Sequence, residues 1–223
     1  MKRQFTSRAL EMLIPEWSVV RDRIAREWRL LSRSPAFAPP LLAQQLLVSG
    51  EDHRHSRHPG FDVIAIGRAM WRRLSRGTRE GASTIEQQIV RVVTGRYERT
   101  YRRKMREIVL AVLVAHRFPK AILPAVYLRI GYYGWRMNGY REACLRLGID
   151  CVSLSPHDAA KLVARLKYPQ PRQLPHRREL QIDLRARHLC TLYRRHVCTR
   201  TYEHLNEKTI RNNPAFRRPI PQS

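Results

Sequence analysis

The chain has 223 residues, 43% of them hydrophobic and 27% charged, a balance that excludes a disordered or fibrous chain and suits one globular domain with its own core. Its 43 Lys and Arg residues against 18 Asp and Glu give a formal net charge of +25. Such a surface attracts anions, whether nucleic acid, anionic lipid headgroups or a phosphorylated substrate.

Helical periodicity runs through the chain. Residues 14–32 place Trp17, Val20, Ile24, Trp28 and Leu31 three and four apart with Arg and Glu between them, which predicts an amphipathic helix. Pro39 and Pro40 precede "LLAQQLLVSGED", a second helix delivering Glu51 at or just beyond its C-terminal end. Residues 61–77 predict a third, stopped by Gly77. At 83–86 "STIE" fits a capping box, with the Ser83 hydroxyl on a backbone amide and Glu86 reaching back, opening a helix to about Val93. A long helix from about Arg99 to Phe118 follows, and Pro124 should kink or break the path beyond it.

Further along, Ser155 as N-cap, Pro156 at the first position and Asp158 at the third open a helix to about Leu166. A final helix spans about Glu179 to Leu205. No alternating strand of useful length stands out, so the expected class is all-α. Residues 1–38 read as an amphipathic region suited to a membrane surface, 39–206 as the main domain and 207–223 as a loose, Pro-rich tail.

Cys144, Cys151, Cys190 and Cys198 have neither C-x-x-C nor zinc-finger spacing and are expected as buried thiols. The first thirty residues show no signal-peptide h-region. The longest apolar run, "IVLAVLVA" at 108–115, is far short of the roughly 20 residues of a spanning helix.

Two segments gather polar groups that folding does not require. The first, "SGEDHRHSRHPGFD" at 49–62, holds Glu51 and Asp52 among His53, His55 and His58. The histidines lack the i, i+4 spacing of a helical zinc site, so metal ligation is not expected of them. The second, around 101–118, sets Arg103 and Lys104 on one helix face with Glu107. A carboxylate flanked by fixed cations suits phosphate binding, with the acid orienting the cations or holding a divalent metal.

The order of these segments carries more than either alone. "EDHRHSRHPG" (51–60), "GASTIEQQ" (81–88), "RKMRE" (103–107) and "AVYLRIGYYG" (125–134) resemble the successive blocks of the family 51 glycosyltransferases. Those blocks read E-D-x-x-F-x-x-H-x-G, G-G-S-T-I-x-Q-Q, R-K-x-x-E, and a segment with I-L-E-x-Y-L-N and Y-F-G. The family comprises the transglycosylase domains of bifunctional penicillin-binding proteins and the monofunctional transglycosylases. The resemblance covers about residues 40–190.

It implies a lysozyme-like all-α domain of two lobes with a cleft between, polymerising lipid II with inversion at the anomeric carbon and release of undecaprenyl pyrophosphate. By the same resemblance Glu51 is the general base for the acceptor hydroxyl, its charged form favoured by neighbouring cations. The departing pyrophosphate needs charge stabilisation rather than an acid, which Arg103 and Lys104 supply with Glu107 as second catalytic acid, orienting them or sharing a divalent ion, Mg²⁺ or Mn²⁺. Asp52, His58, Gly60, Ser83, Thr84, Gln87, Gln88 and Arg91 complete the implied substrate site, helix-start amides and hydroxyls included. No organic cofactor is implied. The implied partners are lipid II, an undecaprenyl-pyrophosphate-linked glycan, an anionic membrane surface and cell-wall synthesis proteins, and the implied place is the outer face of the cytoplasmic membrane.

The chain also departs from the pattern. His55 stands at the family's Phe, Ala82 at a Gly, Glu86 at a Thr, and Ala125 and Arg129 at a Glu and an Asn. A fifth, looser block at 185–193 offers Arg185 or Arg187 as a basic residue. A weak homologue that binds lipid II or glycan, a lytic enzyme and a nucleic-acid-binding protein are the alternative readings, the last prompted by charge alone.

Overall fold

The computed structural model describes residues 2–33, 38–77, 81–199 and 201–205. The expected tail at 207–223 lies outside them. The described chain is helical apart from a two-stranded antiparallel ribbon, β1 (Tyr132–Gly134) with β2 (Met137–Asn138), too short for an alternating pattern to betray it.

The first helix, α1 (Lys2–Arg33), buries Val20, Ile24 and Trp28 in the central core. Behind Pro40, α2 (Leu41–Glu51) ends on Glu51, as its sequence predicts. Asp62 caps α3 (Val63–Arg76) through bonds from the amides of Ile64 and Ala65, and Gly77 closes it in the left-handed conformation. Helix α4 (Ile85–Thr94) is capped by Thr84, whose hydroxyl oxygen accepts from the Gln87 amide, so the expected Ser83–Glu86 capping box does not form. Glu86 instead turns into the protein interior, where other partners outbid a solvent-side cap.

Helix α5 (Tyr101–Arg117) is capped by Thr100. The path breaks at Phe118–Pro119 rather than at Pro124, which sits in the first turn of α6 (Leu123–Ile130), where a proline's missing N–H costs nothing. After α7 (Tyr140–Leu147), Ser155 caps α8 (Pro156–Lys167) as its sequence predicts. The last long helix, α9 (His176–Val197), stops before the expected Leu205, which lies in a separate 3-10 turn, Glu203–Leu205.

Two groups of helices share the core. α1, α4, α5 and α6 pack together, α2 packs with α8 and α9, and α2 touches α6 to join the groups. α2 and α9 approach closely at Gly50, where a Cβ would lie 2.2 Å from Leu189 Cδ2 and 3.0 Å from Arg185 Nη2. Only a residue without a side chain lets α9 bring Arg185 to the end of α2. By contrast α3 leaves Val63, Ile64, Met70, Trp71 and Leu74 exposed.

Candidate active site

Glu51 projects from the last turn of α2 and is held from two sides. Its Oε1 accepts from Arg185 Nη2 at 2.8 Å and its Oε2 from Gln88 Nε2 at 2.9 Å. Arg185 also donates to the Gly50 carbonyl oxygen at 2.7 Å, which fixes the guanidinium against the helix end. Of the two basic residues that the fifth block offered, it is Arg185 that reaches Glu51. The carboxylate borders a small hollow lined also by Asp52, His53, Gly81, Ser83, Thr84 and Arg68.

Glu107 is the centre of a second constellation, on α5. Arg91 donates to both its oxygens at 3.0 Å, Lys104 Nζ lies 2.7 Å from Oε1, and Arg103 Nη1 bonds Oε2. The acid's side chain is 2% exposed, whereas those of Arg103, Arg91 and Lys104 are 15, 28 and 33% exposed. Glu107 thus lies beneath a layer of three cations whose outer sides face solvent. Burial pushes its carboxyl up, but the hydrogen bonds and charges of Arg91 and Lys104 outweigh that and hold it below the ordinary value. Burial lowers the Lys104 ammonium, and the Glu107 bond recovers only part of the loss.

Helix α4 joins the two acids. Gln88 bonds Glu51, its neighbour Gln87 accepts from Lys104 Nζ at 2.6 Å, and Arg91 one turn on clamps Glu107. Ser83, on the rim of the Glu51 cleft, accepts from both Arg91 and Lys104 at 3.2 Å. The buried Tyr127 lies within the electrostatic reach of both Glu51 and Arg91, and burial followed by the Glu51 charge raises its hydroxyl above the ordinary value. Ser83, Gln87, Gln88 and Arg91 thus link Glu51 to the cations around Glu107, although the two acids border separate hollows.

The remaining predicted residues lie deeper. Asp52, His58, Gly60, Thr84 and Gln87 are buried; of these, Asp52 and Thr84 form the floor of the hollow beside Glu51. Asp52 accepts from the Ile85 amide at 3.2 Å and from His58 Nε2 at 3.0 Å, tying the Glu51 segment to the start of α4. Burial pushes its carboxyl up, but bonds from His55 and His58 more than reverse this and hold it far below the usual range. Thr84 Oγ1 donates to the Gly60 carbonyl oxygen at 2.7 Å. Gly60 has φ +107°, and a Cβ there would lie 2.4 Å from the Ala111 carbonyl oxygen of α5. His53 stays at the rim, stacked on His196 with centroids 5.5 Å apart.

Two departures from the family pattern meet in this interior. His55 Nδ1 is 3.5 Å from Glu86 Oε1, both side chains are fully buried, and Lys120 Nζ bonds the same carboxylate oxygen. With Asp52 and His58 they form a buried acid and histidine cluster that has the ligand types to hold a metal ion. The histidine spacing alone did not reveal it, because Glu86 comes from another helix. The replacements His55 for Phe and Glu86 for Thr were the available signal.

In comparisons with known proteins, the family model described as Transglycosylase matches residues 21–193. The chain belongs to the transglycosylase family. It is 32% identical over 159 residues to a biosynthetic peptidoglycan transglycosylase of Xanthomonas euvesicatoria pv. vesicatoria, covering 71% of this chain and 61% of that protein. A protein of the same name from Stutzerimonas stutzeri is 31% identical over 171 residues, covering 76% of this chain and 68% of the relative. Penicillin-binding protein 1B of Vibrio cholerae is 32% identical over 172 residues, 77% of this chain but 19% of that protein. The chain therefore spans about three-fifths of the length of the Xanthomonas transglycosylase.

This transglycosylase domain replaces the family's fourth-block Asn with Arg129, which donates to Glu27 of α1 at 2.8 Å. The Glu position is Ala125, buried in α6. At Glu107 the family's implied divalent ion does not fit as a resident group. Both carboxylate oxygens are engaged by three cationic side chains, and a metal would have to displace one. Among the described residues, no single helix is long and apolar enough to cross a membrane.

Proposed function

We propose that this chain is a peptidoglycan glycosyltransferase domain that polymerises lipid II. The observation that carries the reading is Glu51 at the edge of a cleft whose other rim, Ser83, touches the cations gathered over Glu107. Glu51 takes the proton of the acceptor sugar hydroxyl. The freed oxygen bonds the donor's anomeric carbon from the face opposite the leaving group, and the bond from that carbon to the pyrophosphate oxygen breaks with inversion.

The pyrophosphate leaves with the electron pair and no proton, so the site must stabilise negative charge. Arg91, Arg103 and Lys104 present three positive groups for it, pre-arranged by a buried Glu107 so that little reorganisation is needed in the transition state. Glu107 is a positioning residue in this reading and Glu51 the catalytic one. A divalent ion such as Mg²⁺ or Mn²⁺ would act on the pyrophosphate rather than on Glu107. Ser83 and Gln88 lie where sugar or phosphate oxygens would pass, whereas Asp52, His58, Gly60, Thr84 and Gln87 hold the walls.

The membrane side falls to α3. Its exposed Val63, Met70, Trp71 and Leu74 interleave with Arg72 and Arg73, the composition of a helix that lies in an anionic interface. A lipid-linked substrate and the outer face of the cytoplasmic membrane agree with this placement.

Purified protein given labelled lipid II in detergent with Mg²⁺ should form glycan chains of many disaccharides. Lipid II bound but left unextended would favour an accessory binding role, and soluble muropeptides released from finished glycan would favour lysis. Either outcome without chain growth overturns the proposal.

A further inference from the structure

The turn that carries Glu51 is poorly secured by its own sequence. Gly50 weakens a helix, and a carboxylate in the last turn faces the negative end of the macrodipole. No basic residue stands in that turn. The helix ends on Asp52 at φ −157° and ψ 66°, without the left-handed glycine that closes α3 and α4. Contacts from elsewhere in the chain must therefore hold it.

Arg185 supplies one hold, on Glu51 itself. A second comes from His196, in the last turn of α9, and from Tyr202 just beyond, both past the family match at 21–193. The buried Ser49 hydroxyl is bonded to the Tyr202 hydroxyl and lies 3.2 Å from His196 Nδ1. His196 also stacks on His53, so the same short segment grips the chain two residues before Glu51 and two residues after it. Tyr202 is anchored in turn. Its ring is buried and stacks on Tyr193 with centroids 5.7 Å apart, and Leu205 enters the core close behind.

Helix geometry gives these bonds a use. Successive side chains are about 100° apart around the axis, so Ser49 and Glu51 fall on either flank of Gly50, the residue pressed against α9. Arg185 holds one flank and the pair of Tyr202 and His196 the other, and together they keep the last turn from rotating. With the carboxylate about 5 Å from the axis, a rotation of about 10° moves it by about 1 Å. A displacement of that size costs about 10²-fold in rate.

We propose that Tyr202 and His196 are positioning residues for the reaction, setting the direction of Glu51 through the Ser49 hydroxyl. The inference rests on the reading of Glu51 as the base. The two residues act on the geometry of that base, so their effect falls on kcat rather than on KM.

The test is a double-mutant cycle on initial rates with labelled lipid II, in detergent with Mg²⁺. It is run beside amide exchange of Asp52, whose N–H is bonded to the Val48 carbonyl oxygen at 3.0 Å. Tyr202→Phe keeps the buried ring and removes only the hydroxyl. It should lower kcat by about 3–10-fold with KM within about twofold of the parent's. Asp52 exchange should quicken while the Ile89 amide of α4 stays at the parent's rate. His196→Phe, which keeps a ring against His53, should do the same. In the Ser49→Ala background Tyr202→Phe should cost nothing further, because both act through one hydroxyl. Circular dichroism melting identifies any variant that fails to fold, and Ser49→Ala, which puts a good helix former in α2, then carries the test by the same two readouts. An unchanged kcat in the folded variants, a loss confined to KM, or losses in Tyr202→Phe and Ser49→Ala that simply add, overturns the proposal. A parent that extends no lipid II overturns the reading of Glu51 instead, and exchange at Asp52 then decides whether Tyr202 and His196 hold that turn.

Discussion

Arg185 Nη2 lies 2.8 Å from Glu51 Oε1 and 2.7 Å from the Gly50 carbonyl oxygen, joining positions 134 residues apart. The contact depends on the missing side chain at Gly50, and it fixes where the carboxylate can point. A hydrogen bond to a charged group contributes about 1.5–3 kcal/mol. Arg185→Ala should therefore lower the polymerisation rate by about 10–150-fold with a smaller change in KM, measured as initial rates on labelled lipid II.

Glu107 organises its surroundings by neutralising them. Removing its charge leaves three neighbouring cations unopposed. Exposed pairs contribute about 0–1 kcal/mol and breaking buried ones costs about 3–5, so this partly open cluster should lose about 2–3 kcal/mol in Glu107→Gln. The pH dependence has a definite sign. Because the folded carboxyl is held below the ordinary value of 4.5, its contribution is full above that value and is lost as pH falls through the lower folded one. Denaturant melts from pH 7 downward should show a steeper acid-side loss in the parent than in Glu107→Gln.

Gly60 holds the Glu51 segment against α5. An added methyl would meet the Ala111 carbonyl oxygen at 2.4 Å in a backbone conformation with φ +107°. Gly60→Ala should destabilise by at least about 2 kcal/mol, read from the shift in urea midpoint. Gly67, with open space around it, should tolerate Ala within about 0.5 kcal/mol or gain slightly.

Trp71 and Leu74 are 71 and 84% exposed on α3. Trp71→Glu with Leu74→Glu should leave the melting temperature within a few degrees of the parent, because neither side chain enters the core. The same pair should lower sedimentation with phosphatidylglycerol vesicles by tenfold or more, since it removes apolar insertion and adds two negative charges.

The sequence made the helices and the motif blocks legible because each rests on local chemistry. Glu51 at the end of α2, the Gly77 stop of α3 and the Arg103–Lys104–Glu107 face of α5 follow from spacing and caps, whereas the Asp62 cap of α3 escapes the sequence reading. What stayed hidden depends on distant partners. Thr84 rather than Ser83 caps α4 because its hydroxyl also reaches Gly60, and Glu86 leaves the cap for Lys120 and His55. Arg185 could not be separated from Arg187 by pattern alone; the crossing of α2 and α9 at Gly50 decides between them.

The most direct test of the account is the turnover of Glu51→Gln on lipid II beside the parent, with lipid II binding measured on the same preparations. The amide keeps the shape and accepts from Arg185 but cannot take the acceptor proton. Loss of turnover by about 10²–10⁴-fold with binding retained is the predicted result, whereas chain growth at or near the parent's rate would contradict Glu51 as the base.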